Sequence, residues 1–123
     1  MLDDNRPLAD LRIMILEDQV IVALSVRDML IDLGATVVGP ALTLADGYDL
    51  ALKAPVDAAV LDLWIHGERS YAVGEALRDR GIPFVMTGGV DRDAEPSSFA
   101  TVPRLMKPFS AEELTSTLRA ALG

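Results

Sequence analysis

Three acids, a threonine and a lysine stand where this sequence could do chemistry. Glu17 and Asp18 follow the apolar run LRIMIL (11–16), and Asp62 closes AAVLD (58–62). Thr87 ends IPFVMT (82–87), and Lys107 ends VPRLMK (102–107). Carboxylates gathered at one place repel one another and raise one another's pKa. A hard divalent cation among them relieves that conflict, because Mg²⁺ prefers oxygen ligands and takes one or two carboxylates with waters and phosphate oxygens. Lys107 adds a mobile point charge suited to phosphate, and Thr87 adds a hydroxyl donor. Together these groups are the parts of a phosphoryl-transfer site. The cation and the lysine neutralise the transferring group, and a carboxylate can be the nucleophile.

Such groups meet only if the fold brings the ends of several strands together, and the chain alternates in the way that requires. Strand-like runs at 11–16, 36–39, 57–63, 82–87 and 102–107 are separated by helix-like stretches. The spacing predicts helices over 19–34, closed by Gly34, and over 43–53, opened by Thr43 and Asp46. It predicts further helices over 70–81, with Ser70 as N-cap, and over 110–122, with a Ser110/Glu113 capping box. Residues 88–101 (GGVDRDAEPSSFAT) hold two glycines, a proline and little apolar periodicity, so a weak fourth helix is expected there. Right-handed βαβ crossovers then give a five-stranded parallel sheet, a three-layer α/β/α sandwich of the flavodoxin-like (βα)5 type. The strand runs are continuously apolar, as strands buried on both faces are. Met14, Met86 and Met106 are read as core packing. In open sheets of this kind ligands bind outside the carboxyl ends of the strands, where the five candidate residues fall.

Composition narrows the classes of function. The 123 residues suit one domain and one core. Nineteen acids against eleven basic residues give a net charge of −8, whose field repels nucleic acid. There is no cysteine, which removes disulfides and thiol chemistry, and a single histidine, His66, which removes a multi-histidine metal site. His66 itself reads as a loop residue. The acidic N-terminus has no signal-peptide pattern, and no apolar run is long enough to span a bilayer. A cytoplasmic protein is expected, with no membrane or nucleic-acid partner.

The order LEDQ (16–19), LDL (61–63), TGG (87–89) and KPF (107–109) resembles a response-regulator receiver domain of the chemotaxis-regulator type, over nearly the whole chain. GPALTLADGYDLALK, HGERSY and RGIPFVMTGG further resemble the alphaproteobacterial single-domain "FATGUY" group. The resemblance implies one receiver domain over residues 1–123, with 1–10 as an N-terminal extension. It implies that Asp62 accepts a phosphoryl group from a histidine kinase or histidine phosphotransfer protein, and that the domain signals in a two-component phosphorelay by protein–protein interaction. It also implies that Glu17, Asp18, Asp62 and the Trp64 backbone carbonyl hold Mg²⁺ or Mn²⁺, while Thr87 and Lys107 bind phosphoryl oxygens. Such a domain is a regulator, not an enzyme, and catalyses only its own phosphorylation and dephosphorylation. It is expected as a monomer or weak dimer.

The chain departs from the family pattern at three places. Trp64 stands where smaller residues are common, and is read either as a shield against attacking water or as a plain surface aromatic. The stretch from Pro83 to Thr87 is one residue short of the usual pattern. Arg104 replaces an aromatic that turns inward on activation in many receivers, so output is expected to run through residues 88–101 gaining or losing order. On the first helix, Val22, Val26, Met29 and Leu33 share the predicted core face. Val20, Leu24 and Ile31 fall opposite, either as scattered surface apolars or as a docking stripe for a phosphotransfer helix.

Two rival functions come from other classes. A haloacid-dehalogenase-like phosphatase wants a second acid two residues after the nucleophile, where this chain has Trp64. A nucleotide-binding flavodoxin-like module wants a phosphate loop where Glu17 and Asp18 sit. The alternative within the family is a degenerate receiver acting as a phosphorylation-independent interaction module.

Overall fold

The apolar runs become parallel strands whose alternate residues face opposite sides. In the computed structural model, which describes residues 6–89 and 95–123, β1 (Arg12–Leu16), β2 (Thr36–Ala41), β3 (Ala58–Asp62), β6 (Phe84–Thr87) and β7 (Arg104–Leu105) form one sheet in the order β2-β1-β3-β6-β7. All its pairings are parallel. Met14, Leu16, Ala59, Leu61, Phe84 and Met86 pack on one face, beneath α2 (Leu44–Lys53) and α3 (Tyr71–Asp79). Ile13, Ile15, Ala58, Val60 and Val85 pack on the other, beneath α1 (Val20–Asp32) and α4 (Ala111–Leu122). The result is the expected three-layer α/β/α sandwich, with apolar burial on both sides as its main stabilising term.

Local signals account for most boundaries. Gly34, at φ 100°, ends α1 in a Schellman arrangement in which Ala35 N–H reaches Leu30 O. Thr43 Oγ1 accepts from Asp46 N–H at the start of α2. Ser110 and Glu113 exchange both bonds of a capping box. Gly47, a poor residue for a helix interior, lies against Leu16: a Cβ there would come within 2.9 Å of Leu16 Cδ1. Gly74 in α3 lies as tightly on Phe99, at 2.8 Å.

Several expectations change. On α1 the buried residues are Ala23, Val26 and Leu30, with Val22, Met29 and Leu33 only partly covered. The small Ala23 allows the helix to lie close to the sheet, which turns the apolar face from the expected line. Met106 is 62% exposed rather than core, because the residues after the short β7 leave the sheet. Ser70 makes no side-chain cap bond to α3. In the 88–101 stretch, Ser97–Phe99 forms one 3₁₀ turn, and residues 90–94 lie outside the described residues. Phe99 is fully buried against Tyr71 and Phe84, an anchor that the sparse periodicity concealed. Within the N-terminal extension, Leu8 is buried and its N–H bonds Leu33 O, so this part belongs to the packed body. A two-stranded hairpin, β4 (Trp64–Ile65) with β5 (Glu68–Arg69), was not anticipated. Among the described residues, no helix is long and apolar enough to cross a membrane.

Candidate functional site

Strand register decides which side chains meet. β1 and β3 pair Leu16 with Leu61, so the next residues, Glu17 and Asp62, emerge side by side. β3 and β6 pair Asp62 with Thr87, which fixes Thr87 beside the acid despite the short preceding stretch. β6 and β7 pair Thr87 with Leu105, and Lys107 follows two residues later. β1 has β2 on one side and β3 on the other, so the chain reverses direction across the sheet at this point. The crevice at such a switch point is where open α/β sheets bind ligands.

One carboxylate oxygen from each of Glu17, Asp18 and Asp62 lies within 4.8 Å of the others. Lys107 Nζ joins two of them, donating to Glu17 Oε1 at 2.5 Å and to Asp62 Oδ2 at 3.0 Å. Glu17, Asp62 and Thr87 are buried. Burial pushes the Glu17 carboxyl above its ordinary value; bonds from Lys107 and from Gln19 N–H oppose this, and the Asp62 charge adds to it. Burial acts to lower the Lys107 ammonium, but its hydrogen bonds to Glu17 and Asp62 outweigh that and hold it above the ordinary lysine value. The Asp18 carboxyl is held down, chiefly by the His66 backbone N–H, which donates to Oδ2 at 2.8 Å.

Three hard oxygen donors, one of them strained toward protonation by burial, fit a small divalent cation such as Mg²⁺ or Mn²⁺. The strand bearing Asp62 is itself pinned. Ser70 Oγ donates to the Asp62 carbonyl at 2.6 Å, and Leu63 N–H bonds Thr87 O at 3.1 Å. The Ser70 hydroxyl, expected as a helix cap, thus serves the end of β3 instead. Gly88, at φ 96°, is a wall of the crevice: a Cβ there would lie 3.2 Å from Asp62 Oδ1. The Lys107–Pro108 peptide is cis.

Trp64 lies on the hairpin and is 40% exposed, and the Arg69 guanidinium stands 4.6 Å from its ring centroid. Arg104 is ion-paired with Glu95, and its Nη2 also approaches Phe99 O at 3.5 Å. Its position beside Met86 in the sheet therefore ties β7 to the 95–99 stretch. On α1, Val20 and Ile31 are 52% exposed and Leu24 38%, as the helical spacing predicts. Ile21, at 85%, extends this apolar surface. A groove of about 440 Å³ runs beside it, lined by Ile21, Val22, Met29, Lys107, Pro108 and Phe109 among others.

Sequence reasoning missed Ser70, His66 and Gly88 as parts of the site. The sequence signal for the hairpin is the pair His66-Gly67 between Trp-Ile and Glu-Arg, which the structure places at φ 50° and 80°, the left-handed pair of a two-residue hairpin loop. The signal is weak because histidine is not a usual residue for the first position.

No family model matches the chain, and no curated protein sequence does. Solved structures do. SdrG from Sphingomonas melonis Fr1 is 37% identical, covers 94% of this chain and 97% of its own, and superposes with a TM-score of 0.78. A BeF3-activated SdrG structure (Pseudomonas melonis Fr1) is 39% identical over 94% of this chain and 99% of its own, at 0.75. The response regulator PhyR from Brucella abortus is 26% identical at 0.77, and this chain spans 49% of its length and aligns over 96% of its own. The receiver domain of the hybrid histidine kinase CckA, at 19% identity and 0.72 over 91% of this chain and 99% of its own, shares the fold.

Proposed function

The chain belongs to the response-regulator receiver domains, regulatory modules of two-component signalling, and from that premise we propose that it accepts a phosphoryl group on Asp62. The observation that carries this reading is the bridge made by Lys107 between Asp62 and Glu17, beside a cluster of three acids. Glu17, Asp18, Asp62 and the Trp64 backbone carbonyl would hold Mg²⁺ or Mn²⁺. When bound, the cation would neutralise charge on phosphoryl oxygens.

The chain's own residues supply the rest. An Asp62 carboxylate oxygen attacks the phosphorus of a phosphohistidine; an O–P bond forms, the N–P bond breaks, and the imidazole nitrogen leaves with the electron pair. Lys107 releases its bond to Asp62 and takes up a phosphoryl oxygen, which exchanges one anionic partner for another with no loss of pairing. Thr87, held beside Asp62 by register, donates its hydroxyl to a second oxygen. Gly88 leaves the room the new group needs.

The donor is a histidine kinase or a histidine phosphotransfer protein, and Val20, Leu24 and Ile31 are its docking stripe, continuous through Ile21 with the groove that ends at Lys107. Trp64 shields the acyl phosphate from water. The whole of 1–123 acts as one cytoplasmic receiver unit, a monomer or weak dimer, that signals by changing its affinity for a protein partner. Output passes through the 95–99 stretch tied to Arg104.

Incubation with acetyl phosphate, followed by intact mass, tests the reading. A single phosphoryl adduct is expected with Mg²⁺, none with chelator, and none for Asp62→Asn. An unmodified wild-type protein that still binds its protein partner would favour the phosphorylation-independent module.

A further inference from the structure

His66 is the single histidine of the chain, and the proposed phosphoryl chemistry leaves it without a task. It occupies the tip of the β4–β5 hairpin, in a left-handed conformation at φ 50° that L side chains avoid. That conformation brings its backbone N–H to Asp18 Oδ2 at 2.8 Å. Its ring spans two segments: Nδ1 lies 3.9 Å from the same Asp18 Oδ2, and Nε2 lies 3.1 Å from the Leu42 carbonyl, at the junction of β2 and α2. A carbonyl only accepts, so the ring donates from Nε2.

Three segments therefore converge on Asp18. The β1–α1 loop carries the acid and is itself tied down, by Glu17 N–H to Ala41 O at 3.0 Å and by Gln19 N–H to Glu17 Oε2 at 3.0 Å. The β2–α2 junction supplies the anchor. The hairpin tip supplies the N–H. Beyond the buried Ile65 that tip stands clear of the body: a Cβ at Gly67 would meet nothing within 4 Å, and the His66 side chain is 62% exposed. His66 tethers the tip through its backbone N–H to Asp18 and through its ring to the Leu42 carbonyl.

We propose that His66 is a positioning residue for the cation site, its ring strutting the hairpin against the β2–α2 junction so that its backbone N–H holds the Asp18 carboxylate in ligand orientation. The bond on Oδ2 fixes the rotation of the carboxylate, and with it the direction in which an oxygen of Asp18 faces the acid cluster. Groups that orient a metal ligand in this way commonly change affinity by about tenfold or more when removed. The role rests on the reading of Glu17, Asp18 and Asp62 as cation ligands.

The test is a Mg²⁺ titration followed by the fluorescence of Trp64, the single tryptophan, which sits on the same hairpin. It is run at one pH and one ionic strength for all variants. His66→Asn tolerates the left-handed turn but is too short to reach Leu42. His66→Gln restores a long side chain with an amide donor. The expected result is a Kd raised about tenfold in His66→Asn and recovered to within about threefold in His66→Gln, with the melting temperatures of all three alike. Equal Kd in wild type and His66→Asn would overturn the positioning role while leaving the cation site intact. A wild-type protein that gives the same flat titration as Asp18→Asn would overturn the cation reading itself, and the role with it.

Discussion

Gly88 and Trp64 set opposite sides of the same question, which is how much room Asp62 has. A methyl group at position 88 would lie 3.2 Å from Asp62 Oδ1, on a backbone at φ 96° that costs any L side chain about 1 kcal/mol or more. Gly88→Ala is expected to slow adduct formation from acetyl phosphate at least tenfold. Gly89→Ala, where a Cβ would meet nothing within 4 Å, is expected to leave the rate unchanged. Equal rates in the two variants would remove Gly88 from the site. Trp64→Asn is expected to shorten the lifetime of the phosphorylated protein several-fold, followed by the decay of the adduct mass; an unchanged lifetime leaves Trp64 as a surface aromatic held by Arg69. At this scale the charged groups were legible in the sequence, since acids and a lysine at strand ends are conspicuous. Ser70 and His66 were not, because each acts through a bond to a distant backbone or carboxylate that only the folded register creates.

The elements were legible wherever a periodic run had its own start or stop signal, as α1 does at Gly34 and α4 does at its capping box. They were not legible where a tertiary contact substitutes for periodicity. Phe99 is one buried ring in a polar stretch, and Arg104 is a charge placed where the family pattern has an aromatic. The facing of α1 shifted for a similar reason: Ala23 packs closely while contributing little to an apolar count. The outer stripe of α1 survived that shift, because Val20, Leu24 and Ile31 lie far enough round the helix. Leu24→Glu places a charge on that stripe without touching the core. It is expected to cut phosphoryl transfer from the cognate kinase or phosphotransfer protein at least tenfold, read by loss of label from the donor. The rate with acetyl phosphate is expected to stay at the wild-type value. A parallel fall in both rates would mean that the residue supports the fold rather than a docking surface.

In the whole molecule, the candidate site and an ion-paired staple occupy opposite ends of the sheet. The acids and Lys107 lie at the carboxyl ends of the strands, whereas Arg12 and Asp57 staple the start of β1 to the residue before β3. Arg12 Nε and its backbone N–H both donate to Asp57 Oδ2, at 3.1 and 2.8 Å. The Arg12 side chain holds the Asp57 carboxyl below the usual carboxylate range. A carboxyl lowered in the folded state stabilises the protein above its unfolded pKa, and the contribution is lost as pH falls through the lowered value. The melting temperature of Asp57→Asn is therefore expected to lie below wild type at pH 7, with the gap closing as the pH drops below about 4. A gap that stays constant would mean that the staple is not electrostatic. The distant acids of the site titrate alike in both proteins and cancel in the difference. The claim on which everything else depends is that one carboxylate, Asp62, takes the phosphoryl group. Borohydride reduces an acyl phosphate and leaves ordinary carboxylates untouched, so trapping the phosphorylated protein and sequencing its peptides by mass spectrometry locates the modified residue. The account predicts reduction at Asp62 and at no other acid. Reduction at Glu17 or Asp18 with Asp62 unchanged would contradict it.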